Sequence, residues 1–199
     1  MEPEKIIQKA GAAALELDER SEEFFEPYAD TLMIRMLHPV SKLGDQPALR
    51  TLSLALIGAG ILARNHRLAR AGSRMIIAHE AATFAKDMVK TEIDRTRPRT
   101  AERTEERKPR KGKHTAKEKT SFPSGHSAGA IAVARAFSRE YPACAPVAIG
   151  AAAVIALLQI PRCAHYPTDV AAGLAIGLLA EKATDLSWTA LGIAALPEE

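Results

Sequence analysis

The chain has 199 residues and only two cysteines, Cys144 and Cys163. They form no C-x-x-C pair, and no matching ligands flank them, which excludes a disulfide framework and a zinc finger. Aromatic residues make up only 5% of the sequence, and none interleave with the basic stretch described below, so a nucleic-acid-binding platform is not expected. No segment alternates apolar and polar residues with a period of two, which argues against a β-sheet protein. The first residues, Met1-Glu2-Pro3-Glu4, lack the basic and apolar regions of a secretory signal, so export by a cleaved signal is not expected. Long uncharged runs are also scarce. Only Pro142–Pro161 reaches the roughly 20 residues that a helix needs to cross a bilayer unaided.

What the sequence does contain is unevenly distributed charge. Residues 1–30 carry nine acids against Lys5, Lys9 and Arg20, whereas residues 90–119 carry twelve Lys or Arg against six acids. Ile6, Ile7, Ala10, Ala13, Ala14, Leu17, Phe24 and Phe25 recur among the N-terminal charges at spacings near three and four, which predicts an amphipathic helix. Segments rich in Ala, Leu, Ile and Gly follow, separated by Gly and Pro breaks. The fold class expected is therefore all-α: a bundle of about five to six helices. We divide the chain into an acidic amphipathic segment, 1–45, and a helical-bundle domain, 46–199. A basic loop at 99–120, with too few apolar groups to order itself, is expected to be mobile.

Three polar clusters sit at the ends of apolar segments. In the first, Lys90 and Arg97 lie seven residues apart, which would place them on one face of a helix that Pro98 terminates. Two cations so placed make either an anion clamp or an ordinary solvated face. Ser121-Phe122-Pro123-Ser124-Gly125-His126 is the second cluster. Here Ser124 can cap the helix that follows, the first-turn amides with Gly125 can cradle a phosphate, and His126 stands where it can donate a proton. The third is His165-Tyr166-Pro167-Thr168-Asp169. Its spacing lets Asp169 hold one ring nitrogen of His165 and leave the other free as a nucleophile. Glu92 and Asp94 read as local partners of Lys90, Arg95 and Arg97, and His38, His66, His79 and His114 as structural or solvent-facing.

In this order the three clusters resemble the type 2 phosphatidic acid phosphatase and haloperoxidase superfamily, whose pattern is Lys-x6-Arg-Pro, then Pro-Ser-Gly-His, then Ser-Arg-x5-His-x3-Asp. The resemblance implies a metal-independent phosphatase with no cofactor. In that mechanism His165 attacks phosphorus to give a phosphohistidine, Asp169 holds and charges its ring, and His126 protonates the leaving oxygen and then activates water. Lys90, Arg97, Ser124 and Gly125 would bind the phosphate oxygens. It also implies a phosphorylated lipid or isoprenoid substrate and a membrane-embedded bundle with its motifs at helix ends on one face, a multi-pass protein of a bacterial-type inner membrane. Two other readings stay open: a vanadate-dependent haloperoxidase, and a catalytically weakened phospholipid-binding membrane protein.

The third motif departs from the pattern, with Leu158 and Gln159 where the family has Ser and Arg. A glutamine can hydrogen-bond a phosphate oxygen but brings no charge, and the loss of a charge-assisted contact costs about 2–4 kcal/mol in a transition state. Arg162, three residues on, is the candidate to supply the missing guanidinium, or else a surface or lipid-headgroup arginine. If it does not, an arginine restored at position 159 should raise the rate.

Overall fold

A computed structural model of the protein describes residues 3–101, 107–113 and 116–192. His114 lies outside the described residues. Among the described residues eight α-helices follow one another: α1 (Pro3–Phe25), α2 (Leu32–Met36), α3 (His38–Lys42), α4 (Gln46–Leu62), α5 (His66–Lys90), α6 (Gly125–Glu140), α7 (Ala145–Leu157) and α8 (Pro167–Ala190). Helices α4 to α8 pack side by side as the bundle, and α1 lies against α8. More helices form than expected because Pro and Gly residues divide the N-terminal third into short pieces. The predicted amphipathic helix is α1.

Helix α6 is the axis. Its residues are buried on nearly every side, and it contributes to both apolar clusters of the core. One joins Leu49, Met75, Ala82, Val133 and Ala180; the other joins Ile131, Ala134, Ala152 and Ile155. Alanine dominates, so the helices approach closely and interlock through small residues rather than large ones. The tightest approach is between α6 and α8, where a Cβ on Gly173 would stand 2.4 Å from the Ser124 carbonyl oxygen, and one on Gly177 would stand 2.3 Å from that of Ala128. No larger residue fits at either position without moving a backbone.

Local chemistry sets the helix ends. The Asn65 side chain accepts from the Leu68 amide at 2.9 Å and starts α5, after Arg64 reverses the chain in the left-handed region at φ 52°. Ser124 likewise caps α6. At the end of the bundle far from these motifs, Arg74 bridges Glu140 at 2.9 Å and Asp185 at 3.1 Å, and Arg139 reaches Glu181 at 2.7 Å. These pairs satisfy buried carboxylates that would otherwise be costly.

The structure alters two expectations. First, Lys90 and Arg97 do not share a helix face. Helix α5 ends at Lys90, where the Thr91 hydroxyl takes the Met88 carbonyl at 2.7 Å. The chain then turns into a short strand, β1 (Ile93–Asp94), paired antiparallel with β2 (Arg110–Lys111). Pro98 holds Arg97 in an extended conformation, at φ −68° and ψ 148°. Second, the Pro142–Pro161 run is not one helix. Pro142–Cys144 forms a 3₁₀ turn and α7 is only 13 residues long, roughly 20 Å against a hydrocarbon layer of about 30 Å. Among the described residues, no helix is long and apolar enough to cross a membrane. Large apolar side chains are nonetheless exposed, among them Leu32 at 74% and Leu62 at 88%. Of the basic loop 99–120, residues 102–106 and 114–115 lie outside the described residues; its described part contributes strand β2, and Arg107 pairs with Glu22 of α1 at 3.1 Å.

Candidate active site

The three motifs converge at one end of the bundle, where α5 ends and α6 and α8 begin. The Ser124 amide donates to the Asp169 carbonyl at 3.0 Å, so the second and third motifs are joined backbone to backbone. At the start of α6 the Gly125 and His126 amides belong to the first turn, which has no intrahelical acceptors. The Ser124 hydroxyl oxygen accepts from the Ser127 hydroxyl at 2.9 Å. Gly125 leaves room for Lys86, whose Cδ would lie 3.2 Å from a Cβ placed there.

His165 is buried, and its Nδ1 stands 3.6 Å from Asp169 Oδ2. That is longer than a formed hydrogen bond, as resting catalytic pairs commonly are. On its other side, Arg97 Nη1 lies 3.4 Å from His165 Nε2 and donates to the Ala164 carbonyl at 2.9 Å. An arginine can only donate, so Nε2 carries the lone pair and Nδ1 the proton, the tautomer a nucleophile needs. Burial foremost, with the Arg97 and Lys90 charges adding and Asp169 opposing, pushes the imidazole down to about 4. At neutral pH it is therefore uncharged.

Asp169 is fully buried at the start of α8. Its Oδ2 accepts from the Tyr166 amide at 3.0 Å and from the Ser121 hydroxyl, and its Oδ1 accepts from Arg95 Nη1 at 2.6 Å. Burial alone would raise this carboxyl, but His165, Arg95 and Ser121 together hold it below the ordinary value. It stays ionised.

Lys90 donates to the Thr120 carbonyl at 2.5 Å and is pushed down to about 8, by burial first and then by Lys86 and Arg97. Arg97 is also lowered, again chiefly by burial. His126 Nε2 stands 2.9 Å from Asp45 Oδ1. Burial lowers its pKa, Asp45 opposes, and Arg162 and Arg97 add to the lowering. Arg97 thus acts on both imidazoles.

Gln159 takes an unexpected place. It is fully buried, and its amide nitrogen donates to the Ser41 hydroxyl and to the Ile155 carbonyl, both at 2.9 Å. Its backbone carbonyl accepts from the amides of Ala164 and His165. Its donors are committed, so none points to a phosphate. Instead its Oε1 accepts from Arg162 Nη1 at 3.4 Å, while the same guanidinium bonds the Ser41 hydroxyl and reaches His38 Nδ1 at 2.9 Å. Gln159 braces the loop that presents His165 and, with Ser41 and His38, holds Arg162, whose charge contributes to the lowering of His126. Cys163, in the left-handed region at φ 49°, lets that loop reverse direction.

Several residues at the site escaped sequence reading. Asp18, Ser41 and Asp45 lie in no motif, and His38 reads as structural or solvent-facing. A signal was available only for Arg95, which sits between Lys90 and Arg97; its assignment to local acids was wrong, since its partners are Asp18 and Asp169.

The fold is a helical bundle with a histidine, a carboxylate and clustered cations at one end. The PAP2 superfamily profile matches residues 71–188, more than half of the chain, and the protein belongs to that superfamily. Its structure is similar to that of Aquifex aeolicus LpxE, with 20% identity and a TM-score of 0.63 over 84% of this chain and 94% of that one. It is also similar to a transmembrane PAP2-type phosphatidylglycerolphosphate phosphatase from Bacillus subtilis, with 21% identity and a TM-score of 0.63 over 90% of this chain and 85% of that one. At these identities the likeness is one of fold. No curated protein matches the sequence significantly.

Proposed function

We propose that the protein is a metal-independent phosphatase that removes phosphate from a lipid or isoprenoid phosphate or diphosphate at a membrane, through a phosphohistidine on His165. The observation that carries this reading is the Arg97 guanidinium 3.4 Å from the His165 Nε2 lone pair, which brings an anion holder and a nucleophile to one point. Nε2 attacks phosphorus, the bond to the leaving oxygen breaks, and His126 gives that oxygen its proton. Positive charge then builds on the ring, and Asp169 balances it through Nδ1. His126 next takes a proton from water, whose oxygen attacks phosphorus and breaks the P–N bond, returning His165 and releasing phosphate. Lys90, Arg97, Arg162 and the Ser124–Gly125 turn hold the equatorial oxygens, so catalysis is positioning plus electrostatics.

Arg162 speaks against a weakened binder. The charge missing at position 159 is supplied from three residues on, in a guanidinium fixed by Ser41, Gln159 and His38.

A lipid leaving group is supported by an apolar groove of about 490 Å³ between α4 and α7, lined by Leu43, Leu52, Leu56, Val133 and Ile155. Gly44 links it to the acid: a Cβ there would meet both Ile155 Cγ2, at 2.4 Å, and His126 Cδ2, at 3.2 Å. The hydrocarbon side of the substrate would thus lie beside the group that protonates its oxygen. Membrane association follows from the same substrate class and from the exposed apolar side chains of α2 and α4.

The test is phosphate release in EDTA by detergent-purified protein from phosphatidic acid and from an isoprenoid diphosphate, with His165→Ala alongside. Release that resists EDTA and vanishes in the variant is expected. Release that survives in the variant would overturn the reading.

A further inference from the structure

Helix α1 belongs to none of the three motifs, yet it sends a carboxylate into the most buried polar cluster of the site. Asp18 is 2% exposed. Its Oδ2 accepts from Arg95 Nη2 at 2.6 Å and from the Thr168 hydroxyl at 2.5 Å, and its Oδ1 accepts from the Thr168 amide at 3.1 Å. Thr168 is the second residue of α8, so a side chain 150 positions away in sequence caps the helix that carries Asp169. The same Arg95 guanidinium bonds Asp169 through Nη1 at 2.6 Å, bonds the Arg107 carbonyl through Nε at 2.6 Å, and lies 3.9 Å from the centre of the Tyr166 ring. Its surface is wholly buried.

We propose that Asp18 and Arg95 are positioning residues for the His165–Asp169 dyad, which makes α1 a working part of the active site. This rests on the phosphatase reading for its chemistry, and on the hydrogen bonds just given for its geometry. Neither residue is placed to touch a phosphate. Arg95 fixes Asp169 by its Oδ1, leaving Oδ2 turned toward His165 Nδ1. Asp18 in turn fixes Arg95 and balances it. Counting Asp18, Arg95 and Asp169, the cluster carries one net negative charge, which opposes the positive charge that His165 acquires when it bonds to phosphorus. Without Asp18 the same cluster is neutral. The cation that orients Asp169 then also repels the imidazolium, with nothing behind it to offset it.

The kinetic consequence is specific. Substrate binding depends on Lys90, Arg97 and Arg162, so KM should change by no more than about twofold in Asp18→Asn, whereas kcat falls by on the order of tenfold, as for lost partners that orient a working histidine. Arg95→Gln should fall further, and Arg95→Lys should recover part of the loss. Because Asp18 acts through Asp169, Asp18→Asn should cause little further loss in an Asp169→Asn background. General destabilisation would instead lower both backgrounds alike.

Imidazole nitrogen NMR of His165 reads the clamp without turnover. The full-length parent should show a single tautomer with the proton on Nδ1, and Asp18→Asn and Arg95→Gln should show mixed tautomers while remaining folded by circular dichroism. If the parent releases no phosphate but the tautomer shift is seen, the phosphatase reading falls and the clamp stands. An unchanged tautomer in a folded Asp18→Asn protein would overturn the clamp, as would a kcat loss that repeats in full in the Asp169→Asn background.

Discussion

Replacing Arg162 by methionine removes a guanidinium and keeps most of its apolar stem. In the structure that guanidinium is held by the Ser41 hydroxyl, by Gln159 Oε1 at 3.4 Å and by His38 Nδ1 at 2.9 Å. It is only half-buried, so solvent screens part of its field. Preorganised donors to transition-state charge contribute about 2–4 kcal/mol. Partial exposure places Arg162 in the lower part of that range, about 2–3 kcal/mol, or roughly 30- to 150-fold in kcat/KM. Arg162→Lys should recover some binding but not the forked geometry. Initial rates of phosphate release from phosphatidic acid in mixed micelles, measured over a range of substrate, give both constants. An Arg162→Met protein within about threefold of the parent would refute the assignment, because Gln159 has no donor left to take over.

Three other perturbations have definite expected outcomes. Gln159→Arg should lower activity and stability, since it would break the bonds to Ser41 and Ile155 and bury a second cation beside Arg162, a change of about 3–5 kcal/mol; thermal melting and rates check it. The pH profile of kcat/KM should rise as His165 loses its proton near pH 4 and fall as His126 loses its own, below the usual value of 6.5, with binding weakening further as Lys90 discharges near pH 8. The first limb has this sign because the nucleophile must be neutral, and the second because the acid must be charged. A profile still rising above pH 7 would contradict the assigned roles. Gly173→Ala should part α6 from α8 at the Ser124 carbonyl, costing about 1–3 kcal/mol, or roughly 2–12 °C in Tm for a chain of this size, with activity falling in step.

The motifs were readable in the sequence because each lies within a few residues and marks its own helix end. Ser124 caps α6 from one position before it, and Asp169 stands one turn from His165. What could not be read is held together across long sequence separations. Asp18 and Thr168, or Ser41 and Gln159, meet only once five packed helices bring them together, and no local pattern marks an aspartate in an acidic head as the one that turns inward. The helix-face reading of Lys90 and Arg97 missed a break made by Thr91 and the short ribbon after it; the two cations still act on one imidazole, that of His165, through a turn of the chain rather than helical spacing. The Pro142–Pro161 run was long enough by composition to span a bilayer, but its 3₁₀ turn and the loop around Gln159 leave α7 with 13 residues.

The most direct test of His165 as the nucleophile is a rapid acid-free quench of the protein mixed with radiolabelled phosphatidic acid, followed by peptide mapping. Label that is stable to alkali, labile to acid and confined to the peptide holding His165 is expected, together with its loss in His165→Ala and its accumulation in His126→Ala, where water is no longer activated. Steady turnover with no protein-bound phosphate, or turnover by the His165→Ala protein, would contradict it.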